Sequence, residues 1–372
     1  MINVLKPSMT QREIDAVAEV LRSGWIGLGP RTEEFESRFA RFIGVSGAVG
    51  LNSATAALDL AVRLLNIGPG DEVIVPVITF VSTAHAVCYS GGTPVFVDVD
   101  PRTLNMDLEW VRRKIGPRTK AIIPVHYGGR PVDVDALREV VGEVPIIEDC
   151  SHAAGAEWRG RKCGSLGDIG CFSFHAVKNI ATGDGGMLTC SKPEWAERAR
   201  RLRWLGISKG TWDRSEGGTT YAWEYRVDEI GLKCHMNDIM AAIGLVQLDR
   251  LAEMNHRRRQ IVERYQRELS KIPSIETPPD DTAESQSAWH LYSIRCDYRN
   301  ELSTWLKQHG VSTGVHYYPI HLYRCFGKQE PLPVAESVYK RLLTLPLYPD
   351  LTDEEVDEVI RLIKAFHPGG QA

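Results

Sequence analysis

The 372-residue chain has no apolar run near the roughly 20 residues that a membrane-crossing helix needs. Its first stretch, MINVLKPSMTQREIDAV, lacks the apolar core of a secretory signal. No C-x-x-C pair occurs among the eight cysteines. Their scatter fits neither a zinc site nor a disulfide framework, and they read as buried thiols of a cytoplasmic protein. Charge of one sign is not in excess: 44 Lys and Arg against 48 Asp and Glu leave a net charge of -4. Nothing there favours nucleic acid or an anionic membrane as a partner. Internal repeats and low-complexity tracts are missing. No G-x-G-x-x-G follows the first strand, which argues against a nicotinamide dehydrogenase. What is present is ordinary for a globular protein, with 43% hydrophobic and 25% charged residues.

Two helices are expected near the start. In TQREIDAVAEVLRSG, Thr10 and Glu13 have capping-box spacing and Gly24 closes the pattern. In TEEFESRFARFIG, Phe35, Phe39 and Phe42 fall on one helical face, as packing residues do. From about residue 48 to 150, strands and helices alternate. GAVGLNS, DEVIVP, PVFVDVD, TKAIIPVH and VPIIEDC read as strands. ATAALDLAVRLLNIG, FVSTAHAVCYSG, LEWVRRKI and VDALREVVGE read as the helices between them. The near-continuous Val and Ile of the strands predict a mostly parallel sheet covered by helices on both faces, an α/β layer. The large domain is expected over 1–245, including the N-terminal helical segment. A long helix beginning at MNDIMAAIG leads into a smaller α+β domain over 246–372. There WHLYSIRC, RNELSTWLKQHG, VSTGVHYYP, AESVYKRLLTLP and TDEEVDEVIRLIKAF alternate strand and helix. The polar stretch ISKGTWDRSEGGTTYAWEYRVDEIG is long for a loop, which points to a functional segment or a small hairpin.

Ligands of open α/β sheets sit beyond the carboxyl ends of the strands. Asn52 and Ser53, Pro76, His126 and Asp149 occupy those ends. Asp149 is there as an ion-pair partner, a metal ligand or a cofactor anchor; His152 is near, but no second cluster of metal ligands accompanies it. Lys178 follows 29 residues later, in SFHAVKNIATGDGG, after a further strand, GDIGCFSF. It is a surface lysine or a reactive amine. A strand-end carboxylate and a lysine over the same sheet edge suit pyridoxal phosphate chemistry: the amine forms a Schiff base and the carboxylate keeps the pyridine nitrogen protonated. Such a lysine needs a lowered pKa. NSATAAL puts small residues at the start of a helix, where free N–H groups bind phosphate, although Ser53 is equally an ordinary helix cap. Ser173 offers a hydroxyl, and Phe80 is either core or an aromatic lying on the pyridine ring.

These stretches, with SGWIGLGPRTEEFE, GDEVIVPVITFVSTAHAV, AIIPVHYGGRPVDVDAL, IIEDCSHAAGA, MNDIMAAIGLVQL and GVHYYPIHL, follow one another along nearly the whole chain. Together they resemble the DegT/DnrJ/EryC1/StrS family of sugar aminotransferases, pyridoxal-phosphate enzymes of fold type I. By that resemblance Lys178 is the catalytic, cofactor-bearing lysine, Asp149 the partner of the ring nitrogen, His152 a neighbour of the phenolic oxygen and Phe80 the stacking aromatic. Ala54, Thr55 and Ser173 match phosphate contacts. Lys233 and His235, in GLKCHMND, match the loop that reaches the neighbouring subunit's cofactor phosphate, which implies a homodimer with shared sites. Trp25, His316, Tyr317 and Tyr318 match segments that line the sugar site; Trp25 reads equally as a core anchor. A branch of the family with histidine in place of the lysine deoxygenates sugars, and Lys178 argues for transamination. The resemblance implies L-glutamate as donor, cycling between pyridoxal and pyridoxamine 5'-phosphate, and a nucleotide-linked keto sugar as acceptor. The stretch from Trp212 to Tyr225 resembles relatives that aminate carbon 4 of a 4-keto-6-deoxyhexose. Alternatives are a 3-keto sugar, a cyclitol ketone, or a non-catalytic regulatory role.

Overall fold

The computed structural model describes residues 1–208 and 225–369. Its centre is a sheet built from β1 (Gly47–Leu51), β2 (Glu72–Pro76), β3 (Thr93–Val97), β4 (Thr119–Ile122), β5 (Ile147–Asp149), β6 (Ile169–Ser173) and β7 (Gly186–Cys190). β3, β2 and β4 pair in parallel, as do β5 and β6. Parallel bridges from Ile122 to Ile146 and from Val125 to Asp149 join the two groups. The order is therefore β3-β2-β4-β5-β6-β7-β1, and β7 alone runs antiparallel to its neighbours. Every residue of β1 and β7 is buried, as expected of strands covered on both faces. All of these strands except β7 carry a strand pattern in the sequence.

Helices cover both faces. One face packs against α3 (Ala54–Leu64), α4 (Ser82–Tyr89) and α7 (Pro193–Leu202), with Leu58, Leu60 and Val62 joining Val73 and Val75 in one core cluster. The other face packs against α2 (Pro30–Ile43), α5 (Leu108–Lys114) and α6 (Val134–Val141). There Phe39 meets Phe172 and Phe174 with ring centroids 5.0 and 5.5 Å apart. Phe35 and Phe39 are fully buried, each worth about 1.5–3 kcal/mol of burial, while Phe42 is only partly covered.

α1 (Gln11–Ser23) starts with the expected Thr10–Glu13 capping box and ends at Gly24 with φ 75°. α8 (Asp238–Leu269) begins as it should at an Asn237 cap and runs unbroken across residue 245. Its first residue ties the fold together: the Asp238 carboxylate accepts from the N–H groups of Gly29, Arg31 and Thr32 at the start of α2. Its second half supplies Ile261, Val262, Tyr265 and Leu269 to a third core cluster. β8 (Tyr292–Cys296), α9 (Arg299–Gln308), β9 (Leu342–Leu345) and α11 (Asp353–Ala365) build the rest of that cluster, with α10 (Pro333–Arg341) leading into β9. β8 pairs antiparallel with β9.

Two expectations for this region change. VSTGVHYYP is not a strand; Val311 and Gly314 make only isolated bridges, to Ile2 and Thr344. In AESVYKRLLTLP the helix stops at Arg341 and the last residues become β9, whose Leu342–Leu345 are all buried and pair with β8. Six cysteines are buried, but Cys88 and Cys325 are exposed, and all eight are free thiols. No helix among the described residues is long and apolar enough to cross a membrane.

Candidate active site

β1 delivers the chain to Ser53, whose extended backbone and side chain cap α3: its Oγ accepts from the Ala56 N–H at 3.1 Å. The cap satisfies one first-turn amide and leaves others, at Ala54 and Thr55, without a helical partner. The positive end of α3 therefore faces the space beyond the strands. Thr55 Oγ1 donates to Ser82 Oγ at 2.9 Å, which ties this turn to the start of α4. β7 comes in so closely that a Cβ on Gly186 would lie 2.4 Å from the Ser53 carbonyl carbon. Only glycine allows that approach.

Asp149 closes β5 and is buried. Its Oδ2 accepts from Thr83 Oγ1 at 2.9 Å, and its Oδ1 accepts from Ser151 Oγ at 2.6 Å and Ser151 N–H at 3.1 Å. Thr83 is in turn 2.8 Å from Thr79 Oγ1. Three donors thus hold a carboxylate in a fixed orientation. Lys178 follows β6 on a tight turn, its N–H donating to His175 C=O at 2.9 Å. Its amine is partly buried, and burial lowers its pKa to about 8, against the opposing pull of Asp149.

The opposite wall comes from far along the chain. His152 Nε2 lies 3.0 Å from Tyr317 Oη, and its Nδ1 accepts from the Gly128 N–H at 3.3 Å. With Nδ1 committed as acceptor, the proton of the neutral ring sits on Nε2 and is donated to Tyr317. Burial first, then the charge of Lys178 and then His316, hold the His152 pKa well below its ordinary value. His316, with Nδ1 2.8 Å from Thr344 Oγ1, is lowered to about 4 by burial and by Lys178. Burial pushes the Tyr317 phenol up. At neutral pH His152, His316 and Tyr317 are therefore uncharged.

All of this encloses one cavity of about 410 Å³. Of the residues singled out from sequence, Ala54, Thr55, Phe80, Asp149, His152, Ser173, Lys178, His316 and Tyr317 line it. Phe80 is 60% exposed at the rim, with its ring 6.2 Å from that of Tyr317. Four others lie elsewhere. Tyr318 packs against Tyr323 and Tyr339. Trp25 Nε1 donates to Leu28 C=O at 3.0 Å beside the start of α2. Lys233 places its amine 3.2 Å over the Trp204 ring, and the His235 ring meets the edge of the same indole at 4.4 Å. The Trp204 Nε1 and His235 Nδ1 atoms are buried without a hydrogen-bond partner among the described residues. The stretch from Trp212 falls outside the described residues until Tyr225. Sequence reasoning missed Thr83 and Ser151, although both stand in stretches it quoted, because a hydroxyl's partner across the fold leaves no local pattern.

A metal offers no better account of the buried polar groups. Among the described residues one cluster has ligand-like proximity, His126, Glu148 and Cys150. Its atoms are already used: His126 bonds Glu148 at 2.9 Å and accepts from the Val132 N–H, while Glu148 accepts from the amides of Gly164, Leu166 and Gly167. Burial keeps the Cys150 thiol protonated. By contrast the 410 Å³ cavity has an anion-binding helix start, a fixed carboxylate and an amine of lowered pKa on its walls. That donor set fits pyridoxal phosphate: the start of α3 would hold a phosphate, Asp149 would pair with a protonated ring nitrogen and Lys178 would meet an aldehyde.

A mixed α/β sheet with one antiparallel strand, carrying a lysine and an aspartate beyond its strand ends, defines a fold type I enzyme of the aminotransferase class. The chain belongs to the DegT/DnrJ/EryC1/StrS aminotransferase family, whose model matches residues 7–364. It is similar to the spore coat polysaccharide biosynthesis protein SpsC of Bacillus subtilis, 43% identical over 98% of this chain and 96% of that one. It is 42% identical to a dTDP-4-dehydro-2,3,6-trideoxy-D-glucose 4-aminotransferase of Saccharopolyspora spinosa, over 96% and 95% of the two chains. The protein Spr1654 of Streptococcus pneumoniae, solved in its PMP-form, superimposes with a TM-score of 0.92 at 36% identity, covering 98% of each chain. Spr1654 has also been solved in a PLP-form.

Proposed function

We propose that the protein moves the amino group of L-glutamate to a nucleoside-diphosphate-linked 4-keto-6-deoxyhexose, using pyridoxal 5'-phosphate and its pyridoxamine form. The observation that carries this reading is the single cavity in which Lys178 and Asp149 share walls with the start of α3. The Saccharopolyspora relative, whose name specifies a 4-keto sugar and carbon 4, supports the acceptor class. The PLP-form and PMP-form of Spr1654 support the cofactor.

When bound, the cofactor supplies an aldehyde carbon that takes up the amine and a protonated ring that withdraws electrons from it. The chain's own groups do the rest. The start of α3, with Thr55 and Ser173, holds the phosphate. Asp149, gripped by Thr83 and Ser151, keeps its charge directed at the ring nitrogen. Lys178 is the proton carrier. With its pKa near 8 a sizeable fraction is neutral at physiological pH, so Nζ can take the donor's α-proton and return it to the carbon on the far side of the nitrogen, two atoms away. In the second half it runs the same transfer in reverse on the sugar. Phe80 and Tyr317 face the ring and the acceptor from the rim.

The same reading includes a homodimer in which Lys233 reaches the partner's cofactor phosphate. His235 is the weaker candidate, because burial, then Lys233 and Arg203, lower its pKa to about 4 and leave it neutral. Lys233 is exposed, and desolvation lowers its pKa from the ordinary lysine value. Eight free thiols suit a reducing compartment, and we place the enzyme in the cytoplasm.

The test is to load purified protein with the cofactor and offer L-glutamate with a panel of nucleotide-linked 3-keto and 4-keto sugars and cyclitol ketones. Products are identified by mass and NMR. Amination at carbon 4 of a 6-deoxyhexose is expected; turnover of cyclitol ketones alone, or of nothing, contradicts the proposal.

A further inference from the structure

Behind the cavity wall stands a residue that the reaction itself does not use. His290 is buried, and its ring stacks on His152 with centroids 4.5 Å apart and planes 28° from parallel. Its Nδ1 lies 3.1 Å from Asn179 Oδ1. Asn179 directly follows Lys178 in the chain.

The hydrogen bonds around Asn179 can be oriented without ambiguity. Its Nδ2 donates to Ala288 C=O at 2.7 Å and to Asn255 Oδ1 at 2.8 Å. Asn255 Nδ2 in turn donates to Ala154 C=O at 2.9 Å. Both amide groups are therefore fixed, and Asn179 Oδ1 is left as an acceptor facing His290. The neutral His290 carries its proton on Nδ1 and donates it there. His152 is set the other way, accepting at Nδ1 from Gly128. One residue ties the two together: the Gly128 N–H bonds the His152 ring, and the Gly128 C=O accepts from the backbone N–H of His290 at 2.9 Å.

The backbone around this junction is fitted closely. Trp289 holds φ 46°, an unusual conformation for a bulky residue, and its N–H donates to Ser287 Oγ at 3.0 Å. A Cβ on Gly129 would lie 2.9 Å from both the His152 C=O oxygen and the Trp289 N. Strain of this kind persists where the surroundings over-determine it.

We propose that His290 is a positioning residue for this aminotransferase: its Nδ1–H fixes Asn179, and with it Lys178, while its ring backs His152, so that both walls of the cavity are held by one side chain entering from the start of β8. The proposal rests on the functional reading above for the identity of the reaction, but the arrangement of Lys178 is testable without cofactor.

Two substitutions separate the two contacts. His290→Phe keeps the stacked ring and removes the donor; His290→Asn keeps a donor near the Nδ1 position and removes the ring. Cofactor-free full-length protein is labelled with trace acetic anhydride across pH, and acetylation of Lys178 is followed by mass spectrometry. The titratable groups that line the cavity with Lys178 are Asp149, His152, His175, Asp184, His316 and Tyr317, and His290 stands behind His152. In the wild type the labelling midpoint falls near 8. In H290F it moves upward by about one unit, as loosened packing admits water to the amine. In the loaded enzyme the single-turnover rate with L-glutamate falls about a hundredfold while the apparent affinity for glutamate changes little, because a misplaced proton carrier affects transfer and not binding. H290N recovers the midpoint and most of the rate. A lowered melting temperature with wild-type midpoint and wild-type rate in H290F makes His290 merely structural and overturns the proposal. If H290F does not fold, Asn179→Ala removes the other end of the same bond and carries the same expectation. A wild type that labels with a midpoint near 8 and yet never turns over glutamate sinks the functional reading while leaving the labelling comparison able to decide this one.

Discussion

A lysine amine in water is almost wholly protonated at pH 7, and a protonated amine can neither take a proton nor attack a carbonyl. Lys178 escapes this because its turn folds it under the mouth of a cavity, and burial brings its pKa to about 8. The same burial destabilises the fold. A cation whose folded pKa lies below its unfolded value costs stability at all pH below the folded pKa, and the cost fades between about 8 and 10.5. Lys178→Met is therefore expected to raise the free energy of unfolding at pH 7 by about 1–3 kcal/mol, with the difference from wild type disappearing as the pH rises toward 10.5. Denaturant titrations at several pH values check this; a destabilised K178M at pH 7 contradicts the assigned burial. In the loaded enzyme Lys178→Ala should lower the rate of the glutamate half-reaction by at least about a hundred- to ten-thousandfold. The imidazoles give a complementary expectation. With His152 well below its ordinary pKa and His316 near 4, both of these imidazoles stay neutral between pH 5.5 and 7. Asp149 and Lys178 were legible in the sequence because strand ends are legible. Thr83 was not, since its bond to Asp149 spans 66 residues, and neither was the bond from His290 to Asn179, which spans 111.

Helices and strands bring these groups together through a few junctions. One is the meeting of β7 with the start of α3. Gly186→Ala places a methyl against the Ser53 backbone, so α3 must shift, and the affinity for pyridoxal phosphate should weaken by more than about tenfold while the fold survives. Equilibrium titration of the cofactor's visible absorbance measures it. A second junction joins α1 to α8. Glu13 is buried, which by itself raises its pKa, but bonds from Thr10, Arg250 and Gln247 outweigh burial and bring it down to about 2. A carboxylate with a depressed folded pKa adds stability above its unfolded pKa and loses it as the pH falls from about 4.5 to 2. Glu13→Gln should thus cost about 3 kcal/mol at pH 7 and nothing at pH 2. A cost that persists at pH 2 assigns the effect to packing. The capping box behind this junction was readable from four residues, as was the α8 start. β7 was not, because it begins at Gly186 directly after Gly185 and its five residues, GMLTC, carry no clear period. VSTGVHYYP misled for the opposite reason: its alternation suits a strand, yet His316 and Tyr317 turn to the cavity and leave only single bridges.

Considered as a whole, the molecule presents one completed wall system and one incomplete charged surface. The cavity is closed by residues from 53–185 together with His316 and Tyr317, whereas Lys233 stands over Trp204 outside it, beside buried Nε1 and Nδ1 atoms that have no hydrogen-bond partner among the described residues. In a homodimer with shared sites, one chain's Lys178 works with the other chain's Lys233. Equal mixing of Lys178→Ala and Lys233→Ala proteins, after dissociation and reassociation, then regenerates one intact site per hybrid dimer, up to roughly a quarter of wild-type activity. No recovery, with hybrid dimers present, places Lys233 and Lys178 in the same site. Every part of this account depends on which amine carries the cofactor. The direct measurement is borohydride reduction of the pyridoxal-phosphate-treated protein, followed by digestion and mass mapping. The account predicts a reduced phosphopyridoxyl group on the peptide containing Lys178 and on no other in comparable yield. A group fixed to a different lysine, or none fixed at all by a protein that retains its fold, contradicts it.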